Sequence, residues 1–172
     1  MPLLAVTVLG HDRPGIIAET TDKLAGLGLN LEDSTMTLLR GHFAMMLVCA
    51  GTATSTEIEQ ALVGLTEDGT LSVSVREIPE EPEHPALGSS YVLTVHGGDR
   101  PRIVSSVVGE VAAVGGNITD LTTRLSGDLY VLVAEVDLPA TVDVPALDEA
   151  LQRVGGELGV GVSLREMESD EL

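Results

Sequence analysis

Aromatic residues are nearly missing from this chain: they make up 2% of its 172 residues, and tryptophan is absent. That removes the stacking platforms on which single-stranded nucleic acid is held. Basic residues are scarce too, nine Lys and Arg against 27 Asp and Glu, for a formal net charge of -18. Nucleic-acid phosphates would be repelled, since binding them needs clustered Lys and Arg. Any control of genes is therefore expected to act through a protein partner, with no direct nucleic-acid binding. Taken alone, the charge serves solubility. Cys49 is the single cysteine, so no internal disulfide can form. It lies in the apolar run Ala44–Ala50, which reads as a buried strand, and its thiol reads as core and not as a nucleophile. No basic region precedes an apolar one at Met1-Pro2-Leu3, so no signal peptide is expected. No apolar run approaches the ~20 residues that span a bilayer. No membrane association is expected, and the cytoplasm is the expected compartment.

What the chain does have is aliphatic bulk and a repeat. Hydrophobic residues reach 44%, enough for a packed core, which Val, Leu, Ile and Ala must fill. The segment Val6–Ile16 returns as Leu93–Ile103, with Asp12-Arg13-Pro14 matching Asp99-Arg100-Pro101 at an offset of 87 residues. The same register pairs Gly28 with Gly115, Asn30 with Asn117, Asp33 with Asp120 and Thr35 with Thr122. Near the module ends, Arg76-Glu77 matches Arg165-Glu166 at an offset of 89, so the second copy has gained two residues around its second helix. Such a register is the mark of a duplication. Between the copies, the Pro- and Glu-rich stretch 80–89 reads as an extended linker. The expected division is module one at 1–79, linker at 80–89, module two at 90–168 and an acidic tail at 169–172.

Each copy reads alike. Leu4, Val6 and Val8 alternate with Ala5 and Thr7, as in a half-buried strand. A helix follows, with the stripe Ile17, Thr20, Leu24, Leu27 in copy one and Ile103, Val104, Val107, Val108, Val111, Val114 in copy two. Gly28 and Gly115 end these helices. Two strands joined at Arg40-Gly41 or Gly127-Asp128 form a hairpin, and a second helix and a last strand complete the copy. Met36, Met45 and Met46 fall on strands and read as core. The order βαββαβ, twice, predicts an α+β chain: two ferredoxin-like modules, each a four-stranded antiparallel sheet with both helices on one face. The uncovered faces and edges predict pairing between modules and a homo-oligomer.

Chemistry is expected at the turn from the first strand into the first helix, Gly10-His11-Asp12-Arg13-Pro14-Gly15-Ile16. Asp12 can cap the helix or fix the loop, Pro14 suits a first helical turn, and Gly10 and Gly15 leave room beside the backbone. The N–H groups of Gly15, Ile16 and Ile17 then offer a carboxylate site at the positive end of the helix dipole. The ammonium group of a free amino acid also needs acceptors, which Asn30 and Asp33 could supply if they start a strand beside that first turn. The same residues read equally as a plain helix start and a turn.

The string His11–Ile17, followed by Gly28–Ser34, resembles an ACT domain, a ligand-binding module that regulates amino-acid metabolism. Two such modules without a catalytic domain are similar to the glycine cleavage system transcriptional repressor family, and Asn30–Ser34 with Leu38–Phe43 is similar to its first module. Formyltetrahydrofolate deformylases carry a similar N-terminal module, but the catalytic domain they add is not in this sequence. The resemblance implies a non-enzymatic regulator that binds a small amino acid, with glycine and serine as leading candidates, and signals to a protein partner, a transcription factor in that family. It implies ligand residues Gly10, Asp12, Arg13, Pro14, Gly15, Ile16 and Asn30 in copy one, and Gly97, Asp99, Arg100, Pro101, Ile103 and Asn117 in copy two. His11, Asp33, Arg102 and Asp120 are added from their positions. Arg102 departs from the motif, which has glycine there, and favours the alternative reading of the chain as a protein-interaction module whose ligand site has decayed. ACT ligands often sit where two modules meet.

Other chemistries find no support. His11, His42, His84 and His96 lack metal-ligand spacing, and no Cys partners them. No Ser, His and Asp set accompanies a nucleophile turn, the carboxylates are scattered, and Gly97-Gly98 lacks the rest of a phosphate loop. No metal and no cofactor is expected, and no enzymatic activity.

Overall fold

The computed structural model describes residues 1–79 and 88–168, which fall into two compact units. The first runs β1 (Leu3–His11), α1 (Ile16–Gly26), β2 (Asn30–Leu39), β3 (His42–Ala50), α2 (Ser55–Ala61), α3 (Val63–Thr66) and β4 (Leu71–Ile78). The second runs β5 (Gly88–Gly98), α4 (Ile103–Ala113), β6 (Asn117–Ser126), β7 (Leu129–Pro139), α5 (Val144–Leu158) and β8 (Val160–Glu166). The sheets are ordered β2-β3-β1-β4 and β6-β7-β5-β8, antiparallel throughout. This is the expected βαββαβ module, twice.

The period-two pattern sets which face each strand buries. Leu4, Val6 and Val8 of β1, with Phe43, Met45, Leu47 and Cys49 of β3, turn inward. They meet Ile16, Leu24, Ile58, Leu62 and Leu65 from the helices. The second core is built alike from Leu93, Val95, Leu132, Ala134, Val136 and Leu138 against Val107, Val111, Leu147 and Leu151. Burial pushes the Cys49 thiol up, so it stays protonated and unreactive at neutral pH. Thr20 is the buried polar residue of the first core, and its hydroxyl donates to the Ile16 carbonyl at 2.7 Å, so no polar group goes unmet.

Several local expectations shift. The inward stripe of α1 is Ile16, Thr20 and Leu24, and that of α4 is Ile103, Val107 and Val111, each at a spacing of four. Ile17 and Val104, expected inside, are 45% and 37% exposed. Met36 and Met46 are likewise exposed, and of the three strand methionines Met45 alone is core. The second helix of the first module breaks at Leu62 into α2 and α3, whereas α5 is continuous. The linker span 80–87 and the tail 169–172 lie outside the described residues. Gly88 and Ser89, read as linker, instead begin β5 opposite Pro139 and Leu138. Gly88 fits there because a Cβ would overlap the Leu138 carbonyl oxygen.

Two hairpin turns fix the register. Arg40 and Gly41 both take positive φ, 50° and 82°, the requirement of a type I′ turn. A bulge shifts the register between Leu31 and Asp33, and again between Ile118 and Asp120. The sheet face away from the helices carries mostly small or uncharged residues in the first module, among them Ala5, Thr7, Ala44, Thr35 and Met46. Among the described residues, no helix is long and apolar enough to cross a membrane.

Candidate ligand site

The β1–α1 turn is pinned from two sides. The His11 N–H donates to the Thr70 carbonyl at 3.0 Å, and the Asp12 N–H to the Gly41 carbonyl of the hairpin turn at 3.2 Å. The chain reaches the helix through Gly15, the N-cap, at φ 91°. No side chain caps the helix, and the Asp12 carboxylate is not used for that purpose. Pro14 precedes the first helical residue by two positions. The Glu19 N–H is the first to close a helical bond, to the Gly15 carbonyl at 2.9 Å. The N–H groups of Ile16, Ile17 and Ala18 are thus the unpaired amides that every helix start leaves.

Beside that helix start lies a shallow cleft of about 320 Å³. Asp12, Arg13 and Gly15 line it, with Ile16, Ile17, Ala18, Met36 and Phe43 as an apolar wall. Two charged residues, Asp12 and Arg13, and an uncapped helix start therefore border one small, mostly apolar space. A zwitterion carries complementary groups. Arg13 is partly engaged, its Nη2 donating to Glu19 Oε2 at 3.2 Å. Asp68 stands near it. The backbone N–H and hydroxyl of Thr70 hold the Asp68 carboxyl below its usual range, and Arg13 adds to that.

The second module repeats the frame with different chemistry. The Asp99 N–H donates to the Asp128 carbonyl at 3.3 Å, and Ser106 closes the first helical bond to Arg102 at 3.0 Å. Arg102 is the uncapped N-cap at φ 72°, the conformation that Gly15 holds in the first module. The cleft there, about 330 Å³, is lined by Asp99, Arg100, Arg102, Ile103, Val104, Ser105 and Tyr130. The Arg100 guanidinium also lies against Gly159, the cap that ends α5, where a cation meets the negative end of the helix dipole.

The structure brings together Asp12, Arg13, Gly15 and Ile16, and in the second module Asp99, Arg100, Arg102 and Ile103. It does not bring the others there. Gly10 faces no open space: a Cβ would overlap the Thr70 carbonyl oxygen of the strand beside it, and at Gly97 it would press on Val160. His11 stands opposite His42, and Pro14 and Pro101 line neither cleft. Asn30 pairs with Ala50, whereas the turn follows the Gly10–Phe43 pair, seven residues along β3. At ~3.4 Å per residue this puts Asn30 about 24 Å from the turn. Asp33 pairs with Val48, on the sheet face away from the helices. Asn117 pairs with Asp137 and Asp120 with Glu135, so they are displaced in the same way. The expectation that Asn30 and Asp33 lie beside the first helical turn of their own module is overturned, because β2 starts at the end of the sheet remote from it.

Ile17, expected there for its N–H, does line the cleft; residues missed from sequence are Ala18, Met36 and Phe43, and in module two Val104, Ser105 and Tyr130. Phe43, the only phenylalanine, and Tyr130, one of two tyrosines, are related by the repeat offset of 87. That shared aromatic position was the available signal. Among the described residues, no group of three His, Cys, Asp or Glu could hold a metal ion.

The ACT domain family model matches residues 3–76. The glycine cleavage system transcriptional repressor of Escherichia coli K12 is 26% identical over 168 residues, covering 94% of this chain and 88% of the relative. A UPF0237 protein of Methanopyrus kandleri is 44% identical over 72 residues, 41% of this chain and 80% of that protein. A crystal structure of an unknown protein from Galdieria sulphuraria is similar at a TM-score of 0.81 and 29% identity, over 97% of this chain and 99% of that one. The matched first module, the second copy of the same topology and these relatives lead to one assignment: the chain belongs to the ACT-domain family.

Proposed function

We propose that this chain is a non-enzymatic regulator that binds a free amino acid at the β1–α1 turn and signals to a protein partner. The observation that carries the reading is the cleft lined by Asp12, Arg13 and Gly15 together with Ile16, Ile17 and Ala18, at a helix start that no side chain caps. The amides and Arg13 receive the ligand's carboxylate, Asp12 receives its ammonium, and Gly15 keeps the approach open. In the second module Asp99, Arg100, Arg102 and Ile103 take the corresponding places. A further contact from Asn30 would have to come from another module, because its own module holds it at the far end of the sheet.

The repressor from E. coli supports a role in controlling genes of amino-acid metabolism, and makes glycine and serine the first ligands to try. The charge of -18 supports action through a transcription factor and not on nucleic acid directly. The outer face of the first sheet, mostly small or uncharged apart from residues such as Asp33 and Arg76, supports assembly of the chain as a homodimer, and the cytoplasm is the compartment this reading requires.

A second reading applies to module two alone. Arg102 stands where the motif has glycine, and it fits an interaction module whose ligand site has decayed.

Isothermal titration calorimetry with a panel of amino acids tests the proposal. A millimolar ligand needs only about -4 kcal/mol, so weak saturable heat is the expected result. Asp12→Asn, which removes the charged acceptor from an exposed position, should weaken that binding about tenfold with the fold intact by circular dichroism. One site per chain supports the decayed-site reading of module two. Folded protein that gives no heat with any amino acid refutes the sensor.

A further inference from the structure

The two modules differ most in how their helices meet. In module two the unbroken α5 packs along α4, while in module one α1 and α2 touch over a much shorter length. The second helix breaks at Leu62, and a groove of about 680 Å³ lies between α1 and the α2–α3 segment. Gly26 and Gly64 add no side chain to fill it, and its apolar surface comes from Leu27, Ala61 and Val63, of which Leu27 is half-buried and Val63 is 54% exposed. The charged residues on the groove are Glu19, Asp22 and Glu67 against Lys23, so its rim is net negative. The layout of charge differs between the copies, since Ser106, Gly109 and Glu110 stand where the repeat register would place Glu19, Asp22 and Lys23.

We infer that this groove docks a cationic amphipathic helix of a protein partner. Helix-in-groove recognition needs an apolar trough for the anchors and a rim of opposite charge for the flanks. Both are present, and the rim continues the sign of the whole chain, which favours encounter with basic segments. The groove also touches the candidate ligand cleft. Glu19 on its rim accepts from Arg13, which lines that cleft. A ligand carboxylate that draws Arg13 toward itself frees Glu19 for the partner, so ligand and partner binding reinforce one another by the same factor in each direction. The coupling rests on the amino-acid reading above; the docking surface does not.

The test uses the full chain, labelled with nitrogen-15, and a helical peptide built of leucine and lysine as the probe. The expected result is saturable amide shifts concentrated on α1, α2 and α3, including Lys23, Gly26, Gly64 and Glu67. Val63→Arg, at an exposed position, should weaken the peptide about tenfold, whereas Glu149→Arg and Glu157→Arg on α5 should leave affinity within about threefold. Shifts spread evenly over both modules, no binding, or a Val63→Arg variant that binds like the parent would overturn the groove. No amino acid is present in this experiment, so its outcome is separate from that of the calorimetry. Adding glycine or serine afterwards should tighten the peptide in the parent and not in Arg13→Gln. An unchanged peptide affinity in a chain that does bind the amino acid would overturn the coupling alone.

Discussion

Gly15 and Arg102 hold the same left-handed backbone at the same place in the repeat, at φ 91° and 72°. For a residue with a Cβ that conformation costs about 1–2 kcal/mol. Glycine avoids the strain but gives up some of the gain through its freer unfolded chain, about 0.5–1 kcal/mol. The strain is the larger quantity. Arg102→Gly should therefore stabilise module two by about 0.5–1 kcal/mol in urea denaturation, and Gly15→Ala should destabilise module one by a similar amount. Gly10 also has a positive φ, 148°, and carries a further constraint. A Cβ there meets the backbone of Thr70 and Leu71, which cannot swing aside. Gly10→Ala should cost about 3 kcal/mol by the same measurement, and an effect below about 0.5 kcal/mol would contradict this account of the residue. From sequence, Gly10 and Gly15 look alike, each a glycine in one loop. Only the strand packed on Gly10 separates a glycine that makes room for a neighbour from one that sets a turn.

At the scale of elements, the order of strands and helices was legible because the duplication shows each boundary twice, and alternation marks the buried face of each strand. The position of Asn30 was legible in principle. It follows the far end of α1, and an eleven-residue helix carries the chain about 16 Å from its start. Helix breaks were not legible: Leu62 continues the apolar period of α2, yet the chain turns there. Capping is clearest in α2, where the Thr54 side chain accepts from the Glu57 N–H and the Glu57 carboxylate accepts from the Thr54 N–H and hydroxyl. The Thr54 backbone N–H, then its hydroxyl, hold the Glu57 carboxyl below its usual range. Its folded pKa is depressed, so the stability it adds is present above its unfolded pKa and lost as pH falls through the folded one. Thr54→Ala should cost about 1 kcal/mol at neutral pH, and the gap to the parent should narrow as pH falls through and below the ordinary glutamate range. A gap independent of pH would show that the cap owes nothing to the ionised Glu57.

At the scale of the molecule, two closed cores share one acidic chain. No described core residue of one unit belongs to the cluster of the other. Residues 1–79 made alone should therefore unfold cooperatively, and noncooperative melting would show that module one depends on the rest. The charge of -18 repels itself, and salt at about 0.15 M shortens its reach to about 8 Å. The melting temperature should rise between low and physiological salt. Which groups surround a ligand is a property of this scale as well. Met36 comes from a strand that meets the turn only in the folded sheet, so no spacing announces it, and Phe43 shows only as the aromatic position it shares with Tyr130. The most direct measurement is a titration of the nitrogen-15-labelled chain with glycine, serine and the remaining amino acids, following the amides of Gly15, Ile16, Ile17 and Ala18. Saturable shifts centred on those four amides are the predicted result. Stationary resonances there through the millimolar range, in a chain whose strand amides report a folded sheet, would contradict it.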